Sequence, residues 1–371
     1  MSNREELRAP KRVVIKIGSS SLTGVDAAGL KSEAVDSLVD VVANLKKSGS
    51  EVVIVSSGAI AAGLTPLGLT SRPKDLATQQ AAAAVGQGLL VHRYTDSLAR
   101  YSIVGSQVLL TIDDVVRRSH YQNVQRTLTK LLQLGVVPII NENDSVGTQE
   151  IRFGDNDRIA ALVSHLIGAD LLILLTDVDA LYDAPPSQTG AKPIFEVEEI
   201  TSLGNAEIGG SVSKVGSGGM VTKIEAARIA TGAGIPLLLT SLEKVSDAMK
   251  GERVGTLFKA VRERQPSRLL WLAHAATPHG KLYVDEGAAK ALRERGVSLL
   301  PAGTTKVSGD FSAGDTVEIV APDGSIIARG LVGFDANEIP AMLGRSTKEL
   351  ARDLGPEFER ELVHRDDLVL L

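Results

Sequence analysis

Lys16 lies inside RVVIKI (12–17), an otherwise apolar and largely β-branched run. A lysine in a buried strand must be paired or functional, because an unpaired buried ammonium is costly. Gly18, Ser19 and Ser20 follow directly. Three more apolar runs end in comparable groups. EVVIVS (51–56) leads into Ser57-Gly58-Ala59, VVPII (136–140) into Asn141-Glu142-Asn143-Asp144, and LLILL (171–175) into Thr176-Asp177. Any one of these is ordinary turn chemistry; four at four strand ends predict one polar edge that receives a ligand. GSGGMVTK (216–223) adds a glycine-rich loop opening into a helix. There, free backbone N–H groups and the helix dipole converge, and Lys223 adds a full charge, which is phosphate-binding chemistry. The P-loop spacing GxxxxGK[ST] occurs nowhere, and Val221 stands where GxGxxG needs its third glycine. In DNDRIAALV (155–163), three polar residues open a predicted helix. Capping accounts for one of them, Asp155, and leaves Asn156 and Asp157 to face a ligand or to hold lysines.

Positioning these groups on one edge requires a particular architecture. From residue 12 to about 260, short apolar runs alternate with segments of three- and four-residue apolar spacing, among them 31–49, 121–135, 155–169 and 220–234. Near-continuous apolar strands alternating with helices predict an α/β domain, a mainly parallel sheet sandwiched by helices, over residues 10–262. RERQPSR (262–268) reads as a linker. Beyond it, over 268–355, short strand-like pieces around one helix (288–296) predict a smaller, mostly-β domain, with Pro322-Asp323-Gly324 as a hairpin turn. His364-Arg365-Asp366 imitates a kinase catalytic loop, but so close to the C-terminus it is expected in a solvated tail.

Composition narrows the classes of function. The 371 residues carry a formal net charge of −5, which gives no support to a nucleic-acid or anionic-membrane binder working by bulk charge. There is no cysteine, which excludes disulfides, cysteine-held zinc, iron–sulfur clusters and thiol nucleophiles. The six histidines show no HExxH spacing. No apolar run approaches the roughly 18–20 residues of a membrane span, and MSNREELRAPKR lacks the apolar centre of a signal peptide. A cytoplasmic protein is the expectation.

The stretches VVIKIGSS, VSSGAIAAG, NENDSV, FGDND, LLTDVDALY and GSGGMVTK, in this order across 13–223, resemble the amino acid kinase family and, within it, the glutamate 5-kinases. The C-terminal segment is similar to the PUA domain that many of those kinases carry. The resemblance implies ATP-dependent phosphorylation of the γ-carboxylate of L-glutamate, the first step of proline biosynthesis, with Mg²⁺ on the nucleotide. It implies Lys16 and Lys223 as catalytic cations and Asp157 as the residue that organises them. Ser57, Gly58, Asp144 and Asn156 would hold glutamate. Lys16, Gly18, Thr176, Asp177, Ser217, Gly218, Gly219, Met220, Val221, Thr222 and Lys223 would hold ATP; no metal ligand is assigned. It further implies feedback inhibition by proline, a homodimer or homotetramer, and hand-off of a labile acyl phosphate to the following reductase.

The residues suit that chemistry. A carboxylate with a pKa of about 4.3 is already ionised at neutral pH, so no general base is needed. The task is to bring one anion to another and to stabilise the transferring group. Two alternatives stand beside this reading. One is the same fold with another acceptor, such as aspartate, acetylglutamate, carbamate or UMP. The other is an RNA-binding protein acting through the PUA-like segment. Residues 268–371 hold 12 Lys and Arg against 16 Asp and Glu, a net of −4, which argues against RNA.

Overall fold

The apolar run around Lys16 becomes strand β1 (Arg12–Ile17), the fourth strand of an eight-stranded sheet in a computed structural model of the chain. The structure describes residues 4, 7, 10–23, 29–111, 114–115, 118–146, 155–200, 219–260 and 278–371. They fall into two compact units, Met1–Arg264 and Gln265–Leu371. The linker expected at 262–268 lies outside the described residues.

In the first unit, β1 is followed by the one-turn helix α1 (Ser19–Leu22), α2 (Ser32–Lys47), β2 (Glu51–Ser56), α3 (Ala59–Leu64) and α4 (Leu76–Ala99). Then come β3 (Gly105–Leu110), α5 (Arg118–Gln133), β4 (Val137–Glu142), α6 (Asp155–Leu166) and β5 (Leu171–Thr176). Short strands β6 (Leu181–Tyr182), β7 (Pro193–Ile194) and β8 (Glu196–Val197) precede α7 (Met220–Gly232), β9 (Leu237–Ser241), α8 (Val245–Met249) and β10 (Thr256–Phe258). The sheet order is β3-β4-β2-β1-β5-β9-β10-β8. Pairing is parallel from β3 through β9, and β10 runs antiparallel to β9. The sheet is therefore mainly parallel and covered by helices, as the alternating pattern predicts. The outer pair β10 and β8 escaped that pattern because three and two residues are too short to show periodicity.

Alternation along β1 settles where Lys16 points. Val13, Ile15 and Ile17 enter a core with Val35, Leu38, Val39 and Val42 of α2 and Leu90, Tyr94 and Leu98 of α4. Val14 and Lys16 therefore face the other layer, where α6 packs against β1 and α7 packs against α6. With β2 on one side and β5 on the other, Lys16 has no sheet edge through which to reach water.

Helices α3 and α4 meet at backbone distance. A Cβ on Gly63 would stand 1.9 Å from the Ala82 carbonyl oxygen, and one on Gly86 would stand 1.8 Å from that of Ala59. Only glycines allow this contact, and it fixes α3, whose first residues continue directly from Ser57 and Gly58.

The second unit consists of β11 (Gly280–Val284), α9 (Glu286–Arg295), β12 (Thr304–Gly309), β13 (Thr316–Val320), β14 (Ile326–Val332), α10 (Thr347–Leu354) and β15 (Val363–Leu370). Its sheet has the order β12-β11-β13-β14-β15 around its own apolar core. The turn expected at 322–324 joins β13 to β14, with Gly324 at φ +83°. His364-Arg365-Asp366, expected in a solvated tail, instead forms part of β15, which pairs with β14. Its side chains are partly or fully exposed, and the strand is held by apolar neighbours such as Val363, Leu368 and Val369.

Gly86→Ala should lower the stability of the first unit by about 2–3 kcal/mol, because a methyl group cannot fit against a backbone oxygen without moving a helix. A denaturant midpoint equal to that of the unaltered protein would remove the close contact from the account.

Candidate active site

Asp157 lies in the first turn of α6 and is almost wholly buried. Its Oδ1 stands 2.6 Å from Lys16 Nζ and its Oδ2 stands 3.3 Å from Lys223 Nζ. Thr222 Oγ1 lies 2.8 Å from Oδ2 and 2.9 Å from the Gly219 carbonyl oxygen. Both lysines are buried as well, at 5% and 7% exposure. A strand, the start of one helix and the start of another thus converge on one carboxylate.

The electrostatics follow from that burial. Desolvation would raise the Asp157 carboxyl, but the ammonium of Lys16, then that of Lys223, and bonds from Lys16 and Thr222 outweigh it and hold the group below the ordinary carboxylate range. For Lys16, burial is the largest influence and lowers the ammonium below its ordinary value, with Asp157 opposing and Lys223 adding to the lowering. Two ammoniums meet at one carboxylate, a concentration of positive charge suited to an anion. Gly18 borders this charge, since a Cβ there would lie 3.5 Å from Lys16 Nζ.

The strand order spreads the remaining residues to either side of Lys16. On the β5 side, Thr176 is buried and its Oγ1 donates to Asp177 Oδ1 at 2.9 Å, with Asp177 itself exposed. Gly219 precedes α7, Met220 is half-buried, and Val221 is 62% exposed. Ser217 and Gly218 lie outside the described residues, as does the side chain of Asp155 whose cap was expected.

On the β2 and β4 side, Ser57 N–H donates to the Ile17 carbonyl at 3.2 Å, and Gly58 turns the chain into α3 at φ +102°. Asn156, adjacent to Asp157 on α6, donates from Nδ2 to Ser57 Oγ and to Asn141 Oδ1, both at 3.1 Å. Asn141 also accepts from the Glu142 N–H at 2.9 Å and donates to Gln87 Oε1 at 2.7 Å. The structure thus links Ser57 and Asn156 directly. Asp144 follows three residues after Asn141; burial pushes its carboxyl up to about 6, against the opposing influence of Arg72. Among the described residues, no group of three or more His, Cys, Asp or Glu side chains is gathered as a metal site.

Three members of this site were not singled out from the sequence. Asn141 opens the polar run at the end of β4 and could have been chosen on that ground. Arg72 sits in the loop before α4 among other polar residues, and Gln87 sits in an Ala- and Gly-rich helix; neither carries a local signal.

Residues 11–241 match the amino acid kinase family, and residues 280–354 match the PUA domain. The glutamate 5-kinase of Streptomyces avermitilis is 59% identical over 370 residues, covering 99% of this chain and 98% of the relative. That of Salinispora arenicola is 58% identical over 369 residues, covering 99% of this chain and 100% of the relative. A carbamate kinase from Giardia lamblia bound to AMP-PNP shares the fold with a TM-score of 0.51, at 18% identity over 68% of this chain and 99% of its own. The chain belongs to the amino acid kinase family, within its glutamate 5-kinases, and carries a C-terminal PUA domain.

Proposed function

We propose that the chain transfers the γ-phosphoryl group of ATP to the γ-carboxylate of L-glutamate, giving L-glutamate 5-phosphate and ADP, as the first step of proline biosynthesis. The observation that carries this reading is the buried Lys16–Asp157–Lys223 triad at the carboxyl edge of the sheet, with Ser57, Asn156 and Asp144 on the β2 and β4 side and Thr176 and Asp177 on the β5 side. In the proposed step a γ-carboxylate oxygen attacks the γ-phosphorus while the bond to the bridging oxygen breaks, and ADP leaves. No proton moves. Lys16 and Lys223 reduce the repulsion between the two anions and stabilise charge on the transferring group. Mg²⁺ enters as part of the nucleotide substrate, carried largely by phosphate oxygens and water.

The roles divide along the same line. Gly18, Thr176, Asp177 and the segment Ser217–Lys223 hold the nucleotide. Ser57, Gly58 and Asn156 hold glutamate, and Asp144 pairs with its α-ammonium. That last pairing favours a free amino acid over acetylglutamate, carbamate or UMP, which lack the ammonium. The acidic second unit favours this enzyme reading over RNA binding. The proposal extends to proline as feedback inhibitor, a homodimer or homotetramer, a cytoplasmic location, and hand-off of the labile product to the reductase that follows; family likeness supports these.

The test of the reaction is hydroxylamine trapping with ATP and Mg²⁺. Glutamate should yield the γ-hydroxamate, while aspartate and N-acetylglutamate should not; product from either of those instead would replace the substrate. Lys16→Ala and Asp157→Asn should each lower kcat by about 10²-fold or more. Asp157→Asn should also cost about 3–5 kcal/mol of stability, because it removes the carboxylate that the buried Lys16 ammonium is paired with. Turnover near that of the unaltered protein in either variant would remove the residue from the catalytic set.

The raised carboxyl of Asp144 gives a pH dependence of definite sign. The group is charged above about 6 and neutral below it, so attraction for the ammonium is present at pH 7–8 and lost as pH falls through about 6. KM for glutamate should therefore climb below pH 6 while KM for ATP does not follow. Asp144→Asn should raise the glutamate KM at pH 8 and abolish the climb; a climb of unchanged size in that variant would refute the pairing.

A further inference from the structure

The amides beside Ser57 have a fixed polarity that can be traced to one backbone group. The Glu142 N–H can only donate, so the atom of Asn141 that meets it at 2.9 Å is the oxygen. The Asn141 nitrogen then faces Gln87, and the atom it meets at 2.7 Å must accept, so it is Oε1. The Asn156 atom that stands 3.1 Å from the Asn141 oxygen must donate and is Nδ2, which also reaches Ser57 Oγ. Two groups are left with defined character. Asn156 Oδ1 is buried without a hydrogen-bond partner among the described residues, and it is an acceptor. Ser57 has accepted from Asn156 and keeps its own proton to give.

An acceptor beside a donor is the pairing that an α-ammonium and a carboxylate of an amino acid require. Asn141 can hold Asn156 this way only while its own amide stays in one orientation. Asn141 is 1% exposed, so its Nδ2 has no water to turn to, and Gln87 Oε1 is the acceptor it has found. Without it, a buried amide donor is stranded and the Asn141 side chain rotates to seek another acceptor. Gln87 gains little for itself from this position. It is buried in α4, and its Nε2 has no partner among the described residues. A purely structural side chain there would be apolar, with no desolvation cost. The neighbouring Gly86 packs α4 against the backbone of α3, and α4 meets the ends of both β2 and β4, through Tyr94 at Ser56 and Gln87 at Asn141.

We infer that Gln87 is a positioning residue that sets the preference for an α-amino substrate. By accepting from Asn141 it keeps the Asn156 carbonyl aimed at the substrate ammonium. The inference rests on the proposed glutamate reading.

The experiment compares L-glutamate with glutarate, which has the same reacting carboxylate and no ammonium, by hydroxamate trapping with the full chain. Gln87→Met fills the same space without an acceptor, and Gln87→Glu keeps an accepting oxygen. In Gln87→Met, KM for glutamate should rise about tenfold or more, with kcat and the ATP KM within about twofold. Its kcat/KM for glutarate should be unchanged, so the preference for glutamate falls by the same factor. Gln87→Glu should recover most of that preference. Equal losses for both substrates in Gln87→Met, no loss for either, or a folded Gln87→Glu without recovery would each overturn the role. Where Gln87→Met does not fold, Gln87→Leu is read instead. If both apolar variants fail to fold while Gln87→Glu folds, the residue is structural and the inference falls. An unaltered protein that does not prefer glutamate over glutarate would sink the substrate reading itself, and this inference with it.

Discussion

A buried carboxylate shared by two buried ammoniums is the interaction on which the rest of the first unit depends. Taken separately, each of the three groups would be expelled from a parallel sheet covered on both faces. Together they are tolerated, because Asp157 offers one oxygen to each lysine and Thr222 adds a hydroxyl to the second oxygen. Three ionisable groups are nonetheless buried together where the parallel strands end. A protein folded only for stability would replace such a triad with apolar side chains. A site that must draw a polyphosphate and a carboxylate together has reason to retain it.

The two halves of the site use different physics. Toward β5 and α7 the means are charge and the start of a helix, which attract any phosphate with little regard to its shape. Toward β2 and β4 the Asp144 carboxyl stands beside neutral amides, which contribute little net attraction of their own but carry direction. An amide reversed end for end exposes a donor where an acceptor is needed. Discrimination among acceptors therefore belongs on the second side, where the Glu142 N–H sets the polarity that passes through Asn141 to Asn156.

How legible this was in the sequence depended on how local each signal is. Lys16 stood out because a charge interrupts an apolar run, and its neighbours supplied the polar strand ends. The alternation of strands and helices gave the sheet, because a buried parallel strand has no polar face. Asp157 could be singled out because a helix needs only one cap. What stayed hidden was lateral. Nothing within residues 76–99 says that Gln87 reaches Asn141, or that Gly63 and Gly86 allow two backbones to touch. The order of the strands was equally silent, as were the two- and three-residue strands beyond β9. His364-Arg365-Asp366 shows the converse. The tripeptide lies within β15, and the consecutive apolar residues after it, Leu368, Val369 and Leu370, were the informative ones.

Asn156 and Asp157 are consecutive residues in the first turn of α6, and successive helical side chains diverge by about 100°. One therefore turns toward Ser57 and Asn141, and the other toward Lys16 and Lys223. The separation between the charged half and the amide half is thus set within a single turn of backbone, the stiffest spacer a chain can offer. Transfer between two bound anions requires their reacting atoms to be held to within a fraction of an ångström. If the two halves hung from separate loops, each would drift independently. Because they share one helical turn, the separation of Asn156 and Asp157, around which the two halves are organised, is fixed. The polar strand ends supply the contacts, and α6 supplies the ruler that keeps those contacts in register.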